Sequence, residues 1–205
     1  MISVVIQAGG GSRRMGKDKG LVLLAGRPMV HHVIDRVRPL GSEVWITTNR
    51  PDAYAFLGVP MASDAQPGQG ALAGLRTALQ AARGDTVLVV ACDMPFLQPA
   101  LLQHLLDRAG EADIVIPRRN GEYEPLHAVY QRRCLPAVET ALARGDSRMI
   151  SFFPDVRLLP IEPSELNRFD PDGFSFFNVN TPDDLAEAER LLRAASPPTE
   201  DMHDA

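Results

Sequence analysis

The residues most suited to chemistry lie in a glycine-rich loop near the N-terminus. The stretch 8–19 reads Ala-Gly-Gly-Gly-Ser-Arg-Arg-Met-Gly-Lys-Asp-Lys and combines four glycines with four cations. Glycines let the backbone turn sharply and bring its N–H groups against phosphate oxygens. Arginine and lysine neutralise such oxygens, and arginine can do so through two parallel hydrogen bonds. Because the loop follows the buried-strand pattern Val4-Val5-Ile6, it predicts a phosphate-binding loop rather than a solvated turn.

Two common phosphate-loop patterns do not describe this loop. The dinucleotide fingerprint G-x-G-x-x-G, started at Gly9, needs a glycine at position 14, where the sequence has Arg14. The P-loop pattern G-x-x-x-x-G-K-[ST] fits from Gly11 to Lys17 but ends in Asp18 instead of a hydroxyl residue. A carboxylate there would repel the phosphates, so the sequence disfavours a P-loop as well.

Asp93 is the second candidate for chemistry. It directly follows the apolar run 87–92, which predicts a buried strand. The next helix is predicted to start at Pro99 with Gln98 before it, so Asp93 is not needed as a helix cap. Mg²⁺ is usually held by one or two carboxylates together with substrate phosphates. The position therefore predicts a magnesium ligand.

Several polar residues admit two interpretations. Asn49 ends a predicted strand, and Asp64 lies in a second glycine-rich loop that leads into a helix; both could serve as turn residues or as ligand contacts. Asn178 and Asn180 alternate on an extended segment, so both would point to one side. They could equally do no more than precede the helix cap at Thr181.

Apolar strand patterns alternate with helix patterns along most of the chain. Because the strands are apolar rather than alternating, they predict a three-layer α/β/α fold with a mostly parallel sheet covered on both faces. In such sheets ligands bind beyond the carboxyl ends of the strands. Strands are predicted at 4–6, 44–48, 86–91, 114–116 and 125–130, and helices at 29–38 (opened by Pro28 at the first helical position), 71–82, 99–109 and 182–195.

The composition limits the classes of protein. The 205 residues carry a net charge of −5, which argues against a nucleic-acid-binding face. Two cysteines without metal-ligand spacing suit a reducing cytoplasm, and no signal peptide or apolar run of membrane-spanning length is apparent. We therefore expect a cytoplasmic protein with one domain over residues 1–195 and a disordered tail over 196–205.

Three motifs resemble one known family. Residues 8–16 with Asp18 and Lys19 resemble the loop L-A-G-G-x-S-x-R-M-G-x-D-K of the molybdenum cofactor guanylyltransferases, within the nucleotidyltransferase superfamily. Residues 92–95 resemble the family's C-D-x-P element, and residues 178–182 its N-x-N-T-P element. The motifs follow in the family's order across residues 2–192. Gln7 stands where the family usually has leucine, and Ala71 where it has proline.

The resemblance implies a Rossmann-like nucleotidyltransferase fold and a Mg²⁺-dependent transfer of GMP from GTP to the phosphate of molybdopterin, with release of pyrophosphate. Arg14, Lys19 and Asp93 would be catalytic, Asp93 would bind the metal, and Asn178 and Asn180 would lie on the acceptor or metal side. The nucleotide-binding residues it implies are Gln7, Ala8, Gly9, Gly10, Lys19, Asn49, Asp64, Leu72, Gly74 and Asp93.

Related activities stay open. Gly9-Gly10, the segment 72–74 and Met94 favour guanine over the cytosine of related cytidylyltransferases. The acceptor could instead be a sugar or alditol phosphate, or the protein could be a non-catalytic GTP-binding adaptor. Arg118 and Arg119 could meet an anionic acceptor or be solvated surface charges. The resemblance also implies molybdopterin-donating proteins and molybdoenzyme chaperones as partners.

Overall fold

A mixed β-sheet with helices on both faces organises the protein. The computed structural model describes residues 1–9, 18–65 and 68–195 of the chain. The strands and helices, in chain order, are β1 (Ile2–Gln7), β2 (Leu23–Leu24), β3 (Arg27–Pro28), α1 (Met29–Val37), β4 (Glu43–Thr47), α2 (Pro51–Tyr54), β5 (Met61–Ala62), α3 (Ala71–Ala81), β6 (Thr86–Ala91), α4 (Pro99–Asp107), β7 (Ile114–Arg119), β8 (Glu122–Tyr123), β9 (His127–Gln131), α5 (Leu135–Ala143), β10 (Leu158–Ile161), α6 (Pro163–Leu166) and α7 (Pro182–Ala195).

The sheet has the strand order β10-β7-β9-β6-β1-β4-β5, with β8 paired to β7. β1 is parallel to both β4 and β6, β4 is parallel to β5, and β10 is parallel to β7. β9 runs antiparallel to both of its neighbours. This confirms the predicted three-layer, mostly parallel α/β fold, to which β9 adds an antiparallel strand.

A tight turn causes the reversal of β9. Asn120 and Gly121 both have positive φ, 51° and 83°, and join β7 to β8. Asn-Gly is the favoured pair for a two-residue hairpin turn. The chain therefore folds back beside β7 before it enters β9.

Both faces of the sheet are buried. Val4 and Ile6 of β1 face a core shared with α1 and α4, whereas Val5 faces a core shared with α3 and α5. Successive side chains of a strand point to opposite faces, so a strand covered on both sides must be apolar throughout. This explains why β1 and β6 appear in the sequence as continuous apolar runs.

The helix starts agree with the sequence except at α1. Pro28 is the N-cap residue, with φ −52° and ψ 135°, and α1 begins at Met29. The prediction of proline at the first helical position was wrong there, because the β2–β3 hairpin holds Pro28 in an extended conformation. At α7 the prediction is confirmed: Thr181 Oγ1 accepts the N–H of Asp184 at 3.2 Å, and Asp184 accepts the N–H of Thr181 at 2.8 Å.

Several elements were not anticipated, namely the β2–β3 hairpin, α2, β5, β8, α5, β10 and α6. The predicted tail 196–205 lies outside the described residues. Within the described part of the chain, no helix is both long enough and apolar enough to cross a bilayer.

Candidate active site

Lys19 and Asp93 meet at the carboxyl edge of the sheet. Lys19 begins a short 3₁₀ helix, Lys19–Leu21, and its Nζ lies 3.0 Å from Oδ2 of Asp93, just beyond β6. The same Nζ donates to Oδ1 of Asn180, which precedes α7. The predicted approach of Lys19 and Asp93 is thus observed. Their chemical roles stay predictions.

A buried tyrosine positions the segment that carries Lys19. Asp18 accepts hydrogen bonds from the Tyr54 hydroxyl and from the N–H of Gly20, the latter at 3.3 Å, and its Oδ2 lies 3.8 Å from Nη1 of Arg50. Burial raises the pKa of the Tyr54 phenol, so the hydroxyl remains a donor. A Cβ on Gly20 would lie 2.6 Å from the Tyr54 oxygen. The sequence did not mark Tyr54 or Arg50, because neither belongs to a recognisable motif.

The segment before α7 is fixed to Asp93 through its backbone. The N–H of Val179 donates to the carbonyl of Asp93 at 3.0 Å, and the N–H of Asn180 donates to Asp184 at 2.9 Å. The side chain of Asn178 donates to the carbonyl of Phe176 at 3.2 Å. The structure therefore brings Asn180 into contact with Lys19, whereas Asn178 bonds within its own segment.

A cavity of about 390 Å³ lies at the carboxyl ends of β1 and β4 and the start of α3. We call it the β1–α3 cavity. Its lining residues are Gln7, Gly9, Thr47, Thr48, Asn49, Asp64, Gly68, Gly70, Ala71 and Gly74. The carbonyl of the lining residue Gln7 accepts the N–H of Cys92, the neighbour of Asp93, at 3.2 Å.

Asn49 and Asp64 are joined by two hydrogen bonds on the cavity wall. Nδ2 of Asn49 donates to Asp64 Oδ2 at 3.1 Å, and the N–H of Asp64 donates to Asn49 Oδ1 at 2.9 Å. Thr77 of α3 donates to the other carboxylate oxygen of Asp64 at 2.6 Å. The two residues that could have been ordinary turn residues are therefore a fixed polar wall. Thr77 lay within a helix pattern and carried no signal of this contact.

Gln7 and Gly74 are fitted to each other. Nε2 of Gln7 donates to the carbonyl of Ala71 at 3.0 Å. The carbonyl can only accept, so the amide nitrogen must face it. A Cβ on Gly74 would lie 2.1 Å from that nitrogen. Glycine in α3 thus makes room for the glutamine that replaces the family's leucine.

Not every predicted nucleotide-binding residue lines the cavity. Ala8 is buried, and its N–H donates to the carbonyl of Thr47 at 2.8 Å. The side chain of Leu72 is fully buried in the core beneath α3, so it cannot contact a ligand in the cavity. Gly10 and Arg14, together with the rest of the loop 10–17, lie outside the described residues.

The cluster offers ligands of the kind that magnesium prefers. Asp93 and Asn180 present a carboxylate and an amide oxygen to the same cation, the Lys19 ammonium. Among the residues that the structure describes, no group of three or more His, Cys, Asp or Glu side chains could hold a metal. Mg²⁺ often binds one or two carboxylates and takes its other ligands from phosphates and water. These residues fit Mg²⁺ on that basis, with Asp93 as the charged ligand.

Neighbouring titratable groups are excluded from nucleophilic roles. Burial raises the pKa of the Cys92 thiol beside Asp93, which keeps it protonated. His127 is fully buried, and desolvation lowers its pKa to about 3. Its ring contacts Phe176 rather than the Lys19–Asp93 pair, with centroids 4.5 Å apart. The geometry is that of a site for positioning and charge neutralisation.

Comparisons with known proteins agree with this fold. A family model described as the MobA-like NTP transferase domain matches residues 4–157. A probable molybdenum cofactor guanylyltransferase of Carboxydothermus hydrogenoformans is 36% identical over 195 residues, which cover 95% of this chain and 97% of that protein. The molybdenum cofactor guanylyltransferase of Desulfosudis oleivorans is 33% identical over 195 residues, covering 94% of this chain and 96% of that protein.

Solved structures of similar proteins have the same fold. Molybdopterin-guanine dinucleotide biosynthesis protein A from Archaeoglobus fulgidus superposes with a TM-score of 0.82 at 28% identity, covering 94% of this chain and 99% of that one. A CMP:2-keto-3-deoxy-manno-octonic acid synthetase superposes with a TM-score of 0.69 at 17% identity and shares the fold alone. The chain belongs to the MobA-like nucleotidyltransferases and, within them, to the molybdenum cofactor guanylyltransferase family.

Proposed function

We propose that this nucleotidyltransferase transfers GMP from GTP to the terminal phosphate of molybdopterin and releases pyrophosphate, with Mg²⁺ as cofactor. The observation that carries the proposal is the contact of Lys19 with Asp93 and Asn180 at the end of β6, the strand next to β1, whose Gln7 lines the β1–α3 cavity. A nucleotide whose base and ribose occupy the cavity can place its phosphates at the cluster. The names of the curated relatives support guanylyl transfer in molybdenum cofactor synthesis.

The β1–α3 cavity would hold the nucleoside. Asn49 and Asp64 offer polar atoms in a fixed arrangement, and Gln7 adds a carboxamide from the end of β1. Gly70, at the start of α3, has φ +80°, and a Cβ there would lie 3.0 Å from the carbonyl of Ser147. The backbone around this turn therefore forms a close-fitting wall. Gly9, Gly10 and the rest of the glycine-rich loop would bind the triphosphate through backbone N–H groups, whereas the N–H of Ala8 already donates to the carbonyl of Thr47.

The proposed reaction is an in-line displacement. An oxygen of the acceptor phosphate forms a bond to the α-phosphorus of GTP, the bond from that phosphorus to the bridging oxygen breaks, and pyrophosphate leaves with both electrons. A phosphate monoester is already nucleophilic at neutral pH, which explains why no Ser-His-Asp set is needed. Lys19 and Arg14 would neutralise charge on the leaving group, since preorganised cations stabilise the transition state.

Asp93 and Asn180 would hold the metal ion. Bound Mg²⁺ supplies further charge neutralisation on the phosphates. Lys19, which contacts an oxygen of each of these residues, would bind the phosphates of the nucleotide. Asn178, two residues before Asn180, would lie on the acceptor side of the site.

The chain beyond the matched residues 4–157 contributes to the same unit. β10 extends the sheet beside β7, and α7 follows the segment that carries Asn180. Val179 and Ala188 pack with Phe96 and Met29. We propose on this basis that residues 1–195 form one domain. Proteins that deliver molybdopterin and chaperones of molybdoenzymes are its proposed partners.

Pyrophosphate release with each triphosphate tests the function. The full chain should release pyrophosphate from GTP only when molybdopterin and Mg²⁺ are both present, and much more slowly from CTP. Faster release with CTP would show a cytidylyltransferase. Release with a sugar or alditol phosphate instead of molybdopterin would identify a different acceptor. GTP binding without any acceptor-dependent release would favour the non-catalytic adaptor.

A further inference from the structure

Gln7 brings a hydrogen-bond acceptor into the β1–α3 cavity at a position where the family usually has leucine. Its side chain lines the cavity, and the residue is only 6% exposed. Nε2 of the carboxamide donates to the carbonyl of Ala71 at 3.0 Å. None of the residues that the structure describes donates to its Oε1. Because buried polar groups are normally hydrogen-bonded, this oxygen is suited to a donor on a bound ligand.

The polar side chains on the opposite wall of the cavity differ in this respect. Asn49 uses both ends of its amide in its bonds to Asp64, and both carboxylate oxygens of Asp64 accept hydrogen bonds, from Asn49 and from Thr77. These groups hold that wall in place through one another. The carboxamide oxygen at the end of β1 has no such partner within the described ranges.

Thr47 lies beside Gln7 on the neighbouring strand. The two residues are paired in the register of β1 and β4, so their side chains point to the same face of the sheet, and both line the cavity. Oγ1 of Thr47 is buried and has no hydrogen-bond partner in the part of the chain that the structure covers. Neighbouring strands lie about 4.8 Å apart. Two polar groups without partners therefore lie side by side where the nucleobase would bind.

The carboxamide of Gln7 is held in one orientation. The carbonyl of Ala71 can only accept, so Nε2 must face it and Oε1 must lie on the other edge of the amide. A Cβ on Gly74 would lie 2.1 Å from Nε2, so the glycine leaves the space that the amide needs. The group that Gln7 offers to the cavity is therefore an acceptor that cannot change places with the donor.

An acceptor of fixed position discriminates between purines. Guanine carries two adjacent donors, the ring N1–H and the amino group, on its Watson–Crick edge. Adenine has nearly the same size and shape but has an unprotonated nitrogen, an acceptor, in place of the N1–H. A carboxamide oxygen that faces this edge would bind guanine and would leave two acceptors opposed in adenine, and such unpaired groups disfavour the wrong substrate.

We propose that Gln7 is a specificity-determining residue whose Oε1 accepts a hydrogen bond from the N1–H and amino edge of guanine. The leucine usual in the family has no polar atom that could make this contact. The inference rests on the proposed function for the position of the nucleoside in the β1–α3 cavity. It does not depend on the identity of the acceptor molecule.

Dissociation constants of the binary nucleotide complexes test the proposal. Calorimetric titration of the full chain with GTP and with ATP, in Mg²⁺ and without an acceptor, compares wild type with three variants. Gln7→Leu introduces the residue usual in the family, and Gln7→Met introduces an apolar side chain of similar length. Gln103→Leu is the matched control, because it removes a carboxamide from the exposed face of α4.

The two Gln7 variants should lose part of the preference for guanine. We expect each to bind GTP about three- to tenfold more weakly than wild type, in the range of one neutral hydrogen bond. Their affinity for ATP should stay the same or increase, because the opposed acceptor is gone. Gln103→Leu should bind both nucleotides like wild type.

A modified nucleotide covers the case in which the Gln7 variants do not fold, which thermal unfolding would show. N1-methyl-GTP has a methyl group in place of the N1 hydrogen, so wild-type protein should bind it about tenfold more weakly than GTP. Equal affinity for the two nucleotides would overturn the inference without any substitution.

The outcomes separate this inference from the proposed function. If folded Gln7→Leu and Gln7→Met keep the wild-type ratio of GTP to ATP affinity, the inference is overturned, because Gln7 would then only shape the cavity. If the ratio falls as expected but molybdopterin gives no release of pyrophosphate, the proposed reaction fails and the inference stands. Tighter binding of ATP than of GTP to wild-type protein would overturn both.

Discussion

The β1–α3 cavity and the Lys19–Asp93–Asn180 cluster lie side by side but are built in different ways. The cavity is lined by residues from positions 7 to 74, and its polar groups already bond to one another through Asn49, Asp64 and Thr77. The cluster joins three distant segments, because Asp93 and Asn180 lie 74 and 161 residues after Lys19 in the chain. The ammonium group of Lys19 contacts an oxygen of each of the other two side chains.

This difference separates two tasks. A cavity whose walls are fixed by hydrogen bonds among its own residues can recognise the shape of a nucleoside with little rearrangement. A cluster of opposite charges can exchange partners, and in the proposed reaction Lys19 would bind phosphate and Asp93 would bind the metal ion. Substitutions in the cluster should therefore change turnover, and substitutions in the cavity should change nucleotide binding.

The largest effect is expected from the cluster. Asp93→Asn and Lys19→Ala should each lower acceptor-dependent pyrophosphate release by a factor of about 10²–10³ or more, because a charged group that acts in the transition state is lost. Thermal unfolding should stay close to wild type. As a matched control, Arg27→Ala removes an ion pair with Asp35 whose side chains are 52% and 56% exposed, and it should leave turnover unchanged. Near-normal turnover of both cluster variants would refute the assignment.

The next prediction concerns the pH dependence of stability, through His127 of β9 in the sheet next to β6. His127 pairs with Val90 at the end of β6, and its folded pKa of about 3 lies below the ordinary value of 6.5. The unfolded chain therefore binds a proton between these values that the folded protein does not bind. The free energy of unfolding should fall as the pH drops below 6.5, by up to about 1.4 kcal/mol per pH unit from this residue.

Urea unfolding at pH 7.5, 6.5, 5.5 and 4.5 checks this dependence. His127→Gln should have a shallower loss of stability than wild type between pH 6.5 and 4.5. The difference in slope should vanish above pH 7, where neither state is protonated at this residue. Identical slopes at acidic pH would contradict the contribution of His127.

A smaller effect is expected in the cavity. Gly74→Ala places a methyl group where Nε2 of Gln7 lies, so the carboxamide must leave the carbonyl of Ala71. We expect the KM for GTP to rise about tenfold with little change in turnover of the saturated enzyme. Alanine also favours the helix by about 1 kcal/mol, which offsets much of the cost in stability.

The double variant Gln7→Ala with Gly74→Ala is the control. It removes the overlap, so the penalties of the two single changes should not add. Additive effects would show that Gln7 and Gly74 act independently, contrary to their close fit.

The smallest effect tests the positioning of Lys19. Tyr54→Phe removes the hydrogen bond to Asp18 and retains the buried ring. We expect turnover to fall about three- to tenfold with an unchanged KM for GTP, as for one hydrogen bond of about 0.5–1.5 kcal/mol. Tyr123→Phe, at a ring that packs on Phe153, should have no effect. A rise in the KM for GTP with unchanged turnover would contradict this prediction, because it would show that Tyr54 supports nucleotide binding in the cavity and not the position of Lys19.

The sequence by itself determined the elements whose signal is local. β6 is observed at the predicted bounds, Thr86–Ala91, because an uninterrupted apolar run marks a strand buried on both faces. The Thr181 cap and the Pro182 start of α7 also depend on neighbouring residues. The motifs and their order were sufficient to identify the family. Lys19 was expected near Asp93 because both follow strands of a parallel sheet, whose carboxyl ends lie at the same edge.

Only the tertiary structure decided which distant side chains meet. It selected Asn180 over Asn178 for contact with Lys19, joined Tyr54 to Asp18, and put Leu72 into the core instead of the cavity. It also reversed β9, although the Asn120-Gly121 turn that causes the reversal is visible in the sequence. Local patterns report the conformation of a segment and which of its faces is buried. The contacts between segments depend on how the whole sheet and its helices pack, and no single stretch of sequence contains that information.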